Sequence, residues 1–123
     1  MISVDSYGWI ERFTNGPKAA EYNRVIDEIK PSELITSMVV MYEVYKKVKK
    51  LKEEEVALEA VAALSQTKVV PIDQTLPIEA ADYSLEYDLQ FAAALVYATA
   101  RRFFAELHTS DEDLKGLPGI SFV

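Results

Sequence analysis

Three acidic residues, far apart in the chain, stand where their side chains could do chemistry. Asp5 closes the apolar run Ile2 to Val4, and Asp111 lies in Thr109-Ser110-Asp111-Glu112-Asp113, just after the brief strand expected at Leu107-His108. Glu43 is set among Met38, Val39, Val40, Met41, Val44 and Tyr45. Sites in open parallel sheets form at the carboxyl ends of strands, which gives Asp5 and Asp111 weight beyond that of other acids. A carboxylate in surroundings as apolar as those of Glu43 is costly unless something pairs with it. Brought together, the three would repel one another and require a cation between them. Hard Mg²⁺ or Mn²⁺ suits such oxygen ligands, and either ion activates water and stabilises the charge that builds as a phosphodiester is cut. Each residue also has a plainer reading. Asp5 could simply cap the helix that follows it, and Asp111 could cap a short helix from Glu112 to Lys115. Glu43 could be a half-exposed helix former, and Asp113 a solvated side chain.

Basic residues follow Glu43 closely: Lys46, Lys47, Lys49, Lys50 and Lys52, with Arg101-Arg102 further on. Lys46, Lys50 and Arg101 are the candidates for holding an RNA backbone beside an acidic pocket. The competing reading is a solvated helix face balanced by Glu53, Glu54 and Glu55. Other chemistries drop out. His108 has no histidine or cysteine partner for a zinc site and is read as structural. There is no Gly-x-Ser-x-Gly, and the four glycines are too dispersed for a phosphate-cradling loop.

The totals narrow the class. A chain of 123 residues, half of them hydrophobic, suits one domain, taken as residues 1–123. The absence of cysteine excludes thiol chemistry and fits a reducing cytoplasm. No basic leader precedes the first apolar residues, and the longest apolar run, Phe91 to Ala98, is well short of the roughly 20 residues that span a bilayer, so a soluble chain with no membrane contact is expected. The net charge of −7 argues against nucleic-acid binding by overall field, so such a role needs bound cations or a local basic strip.

The elements that must position these residues follow from periodicity. Ile2 to Val4 reads as a strand passing into a short helix with Trp9, Ile10 and Phe13, broken at Asn15-Gly16-Pro17. Tyr22, Val25, Ile26 and Ile29 mark an amphipathic helix closed by Pro31. Glu33 to Thr36 forms a second strand, Ser37 caps a helix over about 38–51, and a further helix covers about 56–64. Lys68 to Ile72 reads as a third strand, 75–87 as a helix with Pro77 in its first turn, and 90–104 as a helix apolar on almost every side and therefore buried. Leu107-His108 and Ile120 to Val123 supply a fourth and a fifth strand. Strands alternating with helices predict a three-layer α/β/α domain around a parallel sheet of four to five strands.

In this order, the segments resemble the PIN-domain family, specifically the VapC-type toxin ribonucleases, along nearly the whole chain. The residues that carry the likeness are Ile2-Ser3-Val4-Asp5-Ser6, Ile35-Thr36-Ser37 leading to Glu43-Val44-Tyr45, Val69-Val70-Pro71-Ile72-Asp73, Ala94 to Ala100, and Leu107 to Leu114. The resemblance implies Asp5 and Glu43 as the first two metal-binding acids and Asp111 as the last, with Ser6, Thr109 and Asp113 as accessory residues. The family's remaining acid falls at Ala93, which offers no oxygen, and Asp88 five residues earlier is better placed as an N-cap than as a replacement. The likeness further implies Mg²⁺ or Mn²⁺ as cofactor, RNA as substrate, a homodimer, and inhibition by a cognate antitoxin whose C-terminal segment enters the acidic groove, with apolar positions between Met41 and Leu64 as contacts. Ala93 weakens metal binding and RNA cleavage on this reading.

Two other classes compete. A PIN-like domain without catalysis, acting as a protein- or RNA-binding module, also accounts for Ala93. A phosphate-accepting receiver shares the alternation of strands and helices but expects paired acids after the first strand and a lysine after the last core strand. Here Asp5 is alone, and Thr109-Ser110-Asp111 follows the fourth.

Overall fold

The computed structural model describes all 123 residues and places five parallel strands in one sheet, in the order β3-β2-β1-β4-β5. The strands are β1 (Ile2–Val4), β2 (Leu34–Ser37), β3 (Lys68–Val70), β4 (Glu106–Thr109) and β5 (Ile120–Phe122). The helices are α1 (Ser6–Thr14), α2 (Ala19–Asp27), α3 (Met38–Leu51), α4 (Glu54–Ser65), α5 (Leu76–Tyr87) and α6 (Phe91–Arg102). With right-handed crossovers, α1 to α4 cover one face while the chain steps from β1 out to β3. α5 and α6 then cover the other face as it returns to β4, giving the three-layer α/β/α arrangement. β2 is buried along its whole length, because a central parallel strand has helices on both sides.

Local chemistry fixes several element ends. The Ser37 side chain accepts the Val39 amide and starts α3 as expected. Asn15, left-handed at φ 54°, ends α1. Other boundaries need correction. α2 stops at Asp27, and Pro31 opens a 3-10 turn, Pro31–Glu33, instead of closing the helix. Asp88 is not an N-cap: at φ 56° it is the left-handed C-cap of α5, and Gln90 precedes α6 without any side-chain cap. α6 is buried only from Ala94 to Ala100. Phe91, at its start, is 79 % exposed, and Phe104, beyond its end at Arg102, is 89 % exposed.

One apolar core joins the two helical layers through the sheet, with Leu34, Ile35, Val44, Leu64, Leu95 and Leu107 essentially without solvent contact. Each such side chain contributes about 1.5–3 kcal/mol by burial. Gly8 is where α1 passes over Tyr22: a β-carbon there would stand 2.4 Å from the Tyr22 ring and 2.5 Å from Val4. Gly8→Ala is therefore expected to destabilise the protein by roughly 1–3 kcal/mol, read as a lower urea midpoint. An unchanged midpoint would show that Tyr22 swings away freely.

Arg102 ties the turn before α5 to the end of α6, donating to Asp73 at 2.9 Å and to the Thr75 hydroxyl at 2.8 Å, with Glu79 at 3.1 Å. The guanidinium, the Leu76 amide and the Thr75 hydroxyl hold the Asp73 carboxyl well below its ordinary value. A depressed folded-state pKa adds stability above the unfolded value, and that stability is lost as pH falls through the folded one. Arg102→Ala should accordingly lower the melting temperature at pH 7, with the gap to the parent closing as the pH drops below the ordinary aspartate value of 3.8. Thermal melts of both forms across that range provide the check.

Candidate active site

Where the strand order reverses, β1 and β4 lie side by side and their following segments diverge to opposite halves of the sheet, which opens a crevice at their carboxyl ends. Asp5 leaves β1 at this point with its amide donating to the His108 carbonyl at 3.0 Å, and Asp111 follows β4. Glu43 enters from the second turn of α3, and Ala92 and Ala93 from the first turn of α6. Asp5, Ser6, Glu43, Ala93, Asp111 and Asp113 share the wall of one cavity of about 150 Å³ with Tyr7 and Gln90. The crevice thus joins residues from four distant segments.

Asp5 is the most constrained of the acids. It is 5 % exposed, with the Ser6 amide donating to Oδ1 and the Thr109 hydroxyl to Oδ2, each at 2.7 Å. Burial raises its pKa, the two donors work against the rise, and Asp111 adds to it. Glu43 is half-buried, and its pKa is also raised, first by burial and then by Asp5. The plainer readings of Asp5 and Asp111 are true as well: Asp5 takes the Ser6 amide at the start of α1, and Asp111 accepts the Asp113 amide at 3.0 Å in a 3-10 turn, Glu112–Leu114. Capping and facing the cavity are compatible, because a carboxylate has two oxygens and several lone pairs.

The loop carrying Asp111 is held from beneath. Thr109 Oγ1 accepts the Asp111 amide at 3.0 Å while its proton goes to Asp5, so a single hydroxyl links the two acids. Between them, Ser110 meets the Tyr22 hydroxyl at 2.6 Å and donates to the Val123 carbonyl at 3.1 Å. Burial pushes the Tyr22 phenol up to about 12.

None of the acids in the cavity has a basic partner within ion-pairing distance: the chain's ion pairs all lie elsewhere. No three of its acidic or imidazole side chains converge tightly enough to enclose one ion directly. Unneutralised carboxylates around a small polar cavity fit a divalent cation that keeps part of its water shell and takes one or two carboxylates, the usual behaviour of Mg²⁺. Asp5, Glu43 and Asp111 would hold it. Ala93 leaves that side of the wall without an oxygen.

A larger groove of about 680 Å³ runs from the cavity between α1 and α3, with Glu43, Ser6 and Tyr7 common to both. Lys46, Lys47 and Lys50 line it, so two of the three basic candidates lie along the groove that leads to the acids. Arg101 does not. It lies against Gly119 at the amino end of the sheet, and the eight-residue step along α6 from Ala93 carries it about 12 Å along the axis. The apolar positions between Met41 and Leu64 also divide: Val44, Val48, Ala57, Ala60 and Leu64 are core and cannot meet a partner, whereas Tyr42, Leu51 and Leu58 face outward. His108 is packed in β4, with Glu106 beside it and no metal-binding company. Tyr7 and Gln90 were not marked by spacing, since neither type announces a site unless its neighbours are known.

A model of the PIN domain matches residues 2–120 of the sequence. The chain belongs to the PIN-domain family. No curated protein sequence gives a significant match. Among solved structures, this PIN domain is similar to a toxin–antitoxin complex from Klebsiella pneumoniae, at 25 % identity and TM-score 0.83 over 98 % of this chain and 96 % of the other. It also resembles Mycobacterium tuberculosis VapC20, described as a toxin that cleaves the sarcin–ricin loop, at 17 % identity and TM-score 0.76 over 94 % and 92 %. A third is VapBC2 from Rickettsia felis bound to a promoter DNA fragment, at 16 % identity and TM-score 0.76 over 100 % and 98 %. The PIN fold is thus shared with VapC-type toxins, and the family is one of nucleases. No helix of this chain is long and apolar enough to cross a membrane.

Proposed function

We propose that this PIN domain, residues 1–123 as one unit, is a metal-dependent endoribonuclease of the VapC toxin type, acting in the cytoplasm and weakened by alanine at position 93. The observation that carries the reading is the convergence of Asp5, Glu43, Asp111 and Ala93 on one cavity without a basic partner. The Thr109 hydroxyl orients the Asp5 carboxylate and holds the Asp111 backbone amide, and Glu43 is presented from α3, so the three acids face one cavity before anything binds. Bound Mg²⁺ or Mn²⁺ would neutralise these charges, activate water and stabilise the phosphate as its ester bond breaks. Ser6 and Asp113, in the same wall, assist in holding water. Lys46 and Lys50 hold the RNA backbone through the groove, and Arg101, at the far end of α6, has no part in this.

A cognate antitoxin covering the groove, with Tyr42 and Leu51 as apolar contacts, would block both the lysines and the acids. A second copy of the chain would cover the exposed Phe91 at the start of α6, as in a homodimer. Gel filtration at micromolar concentration should then show a dimer, and a strict monomer would count against that contact.

The competing reading, a binding module without catalysis, is favoured by Ala93 itself. Incubating RNA and Mn²⁺ with the parent chain and with Ala93→Asp separates the two. The nuclease reading expects cleavage that chelator abolishes and that Asp5→Asn removes. Intact RNA with every form would leave the binding module standing.

A further inference from the structure

The α1–α3 groove carries a second kind of surface besides its lysines. Tyr7 is 47 % exposed and forms part of both the groove and the acidic cavity, and Tyr42, 64 % exposed, lines the groove next to Glu43 on α3. Other tyrosines are used differently: Tyr22 and Tyr97 are buried, with hydroxyls bonded to Ser110 and the Pro118 carbonyl. The Lys46 ammonium stands 5.4 Å from the centre of the Tyr42 ring and 3.3 Å from its hydroxyl. The groove's other acid, Glu11, is turned onto the Lys18 amide at 3.4 Å. The result is a cationic strip with two presented aromatic rings, ending at the carboxylates.

We propose that Tyr7 and Tyr42 are stacking platforms for unpaired nucleobases, Tyr7 beside the scissile phosphate and Tyr42 one step along the strand, with Lys46, Lys47 and Lys50 on the phosphates that follow along the groove. The assignment rests on the nuclease reading for the polarity of the track and adds to it the residues that select unpaired RNA. Base–aromatic stacking combined with a basic groove is how proteins hold single strands without reading their edges. A duplex hides its base faces and gains nothing from either ring. Among occupants, RNA is favoured over an acidic peptide because stacked bases use both the rings and the lysines along the whole groove.

The test is equilibrium binding, which needs no cleavage. Fluorescence anisotropy would follow a labelled oligouridine and an oligomer of 5,6-dihydrouridine, equal in length and charge but with a puckered base that cannot stack. The parent chain should prefer oligouridine. Tyr7→Ala and Tyr42→Ala should each weaken oligouridine binding by about 5- to 100-fold and leave the dihydrouridine oligomer nearly unchanged, while Tyr7→Trp retains affinity. Lys46→Ala with Lys50→Ala should weaken both oligomers alike and flatten the salt dependence. Equal affinity of the parent for the two oligomers would overturn the proposal, as would tyrosine variants that weaken both equally. Binding of neither would leave the groove to a protein segment and also overturn it. If Ala93→Asp fails to cut RNA while the stacking pattern holds, the nuclease reading falls alone.

Discussion

Ala93→Asp is expected to raise Mn²⁺ affinity by at least about 10- to 100-fold and to turn a feeble or silent ribonuclease into one that cuts in a Mn²⁺-dependent manner. The magnitude follows from a lesser change: loss of residues that merely orient metal ligands already costs about 10–100-fold in affinity. Position 93 lies in the first turn of α6, half-buried in the cavity wall beside Asp5, Glu43 and Asp111. A carboxylate there adds a fifth acid, after Asp5, Glu43, Asp111 and Asp113, to a cavity that has no basic partner. Without metal it should cost little net stability, because α6 begins with no acidic residue and no side-chain cap, so an added acid gains about 0.3–1 kcal/mol from the helix dipole. With metal the repulsion becomes attraction. Calorimetric titration of Mn²⁺ into both forms measures the first effect, and a larger rise in melting temperature with Mn²⁺ for Ala93→Asp measures it independently. Equal affinities would sink the assignment of position 93 as a ligand.

Thr109→Val is the second large effect. Valine keeps the shape but removes the hydroxyl that donates to the buried Asp5 at 2.7 Å and accepts the Asp111 amide at 3.0 Å. A hydrogen bond to a charged group is worth about 1.5–3 kcal/mol, and leaving its partner buried without one adds to the loss. The expected destabilisation is about 2–4 kcal/mol in urea unfolding at pH 7. In the Ala93→Asp background it should come with a fall in Mn²⁺ affinity of about 10–100-fold. Thr109→Ser, which restores a hydroxyl, should recover most of both. A valine variant that folds with parental stability and binds metal as well as its background would show that Thr109 is packing alone.

What could be read from the residues in order was local. Alternation and helical spacing gave every strand and helix to within a few positions, because burial on one face repeats every two or about 3.6 residues. Ser37 announced its helix, and Asp5 and Asp111 were marked by following apolar runs. Even the likeness to PIN domains lived in short runs at set intervals. Ala93 stood out only because a neighbouring pattern led up to it.

The tertiary structure alone decided which end of each element faces the crevice. Arg101 and Ala93 share α6, yet only one is at the site, since periodicity tells which residues lie on one side of a helix and not where along the sheet the helix is docked. Asp88 looked like an N-cap because an acid just before a helix usually is one, but it takes a left-handed turn between α5 and α6 that only their antiparallel packing requires. Tyr7 and the double use of Thr109 were invisible for the same reason: their importance comes from groups more than thirty residues away, Glu43 for Tyr7 and Asp5 for Thr109. Local propensity depends on a few neighbours, whereas a site depends on the coincidence of distant segments, which is a property of the folded chain.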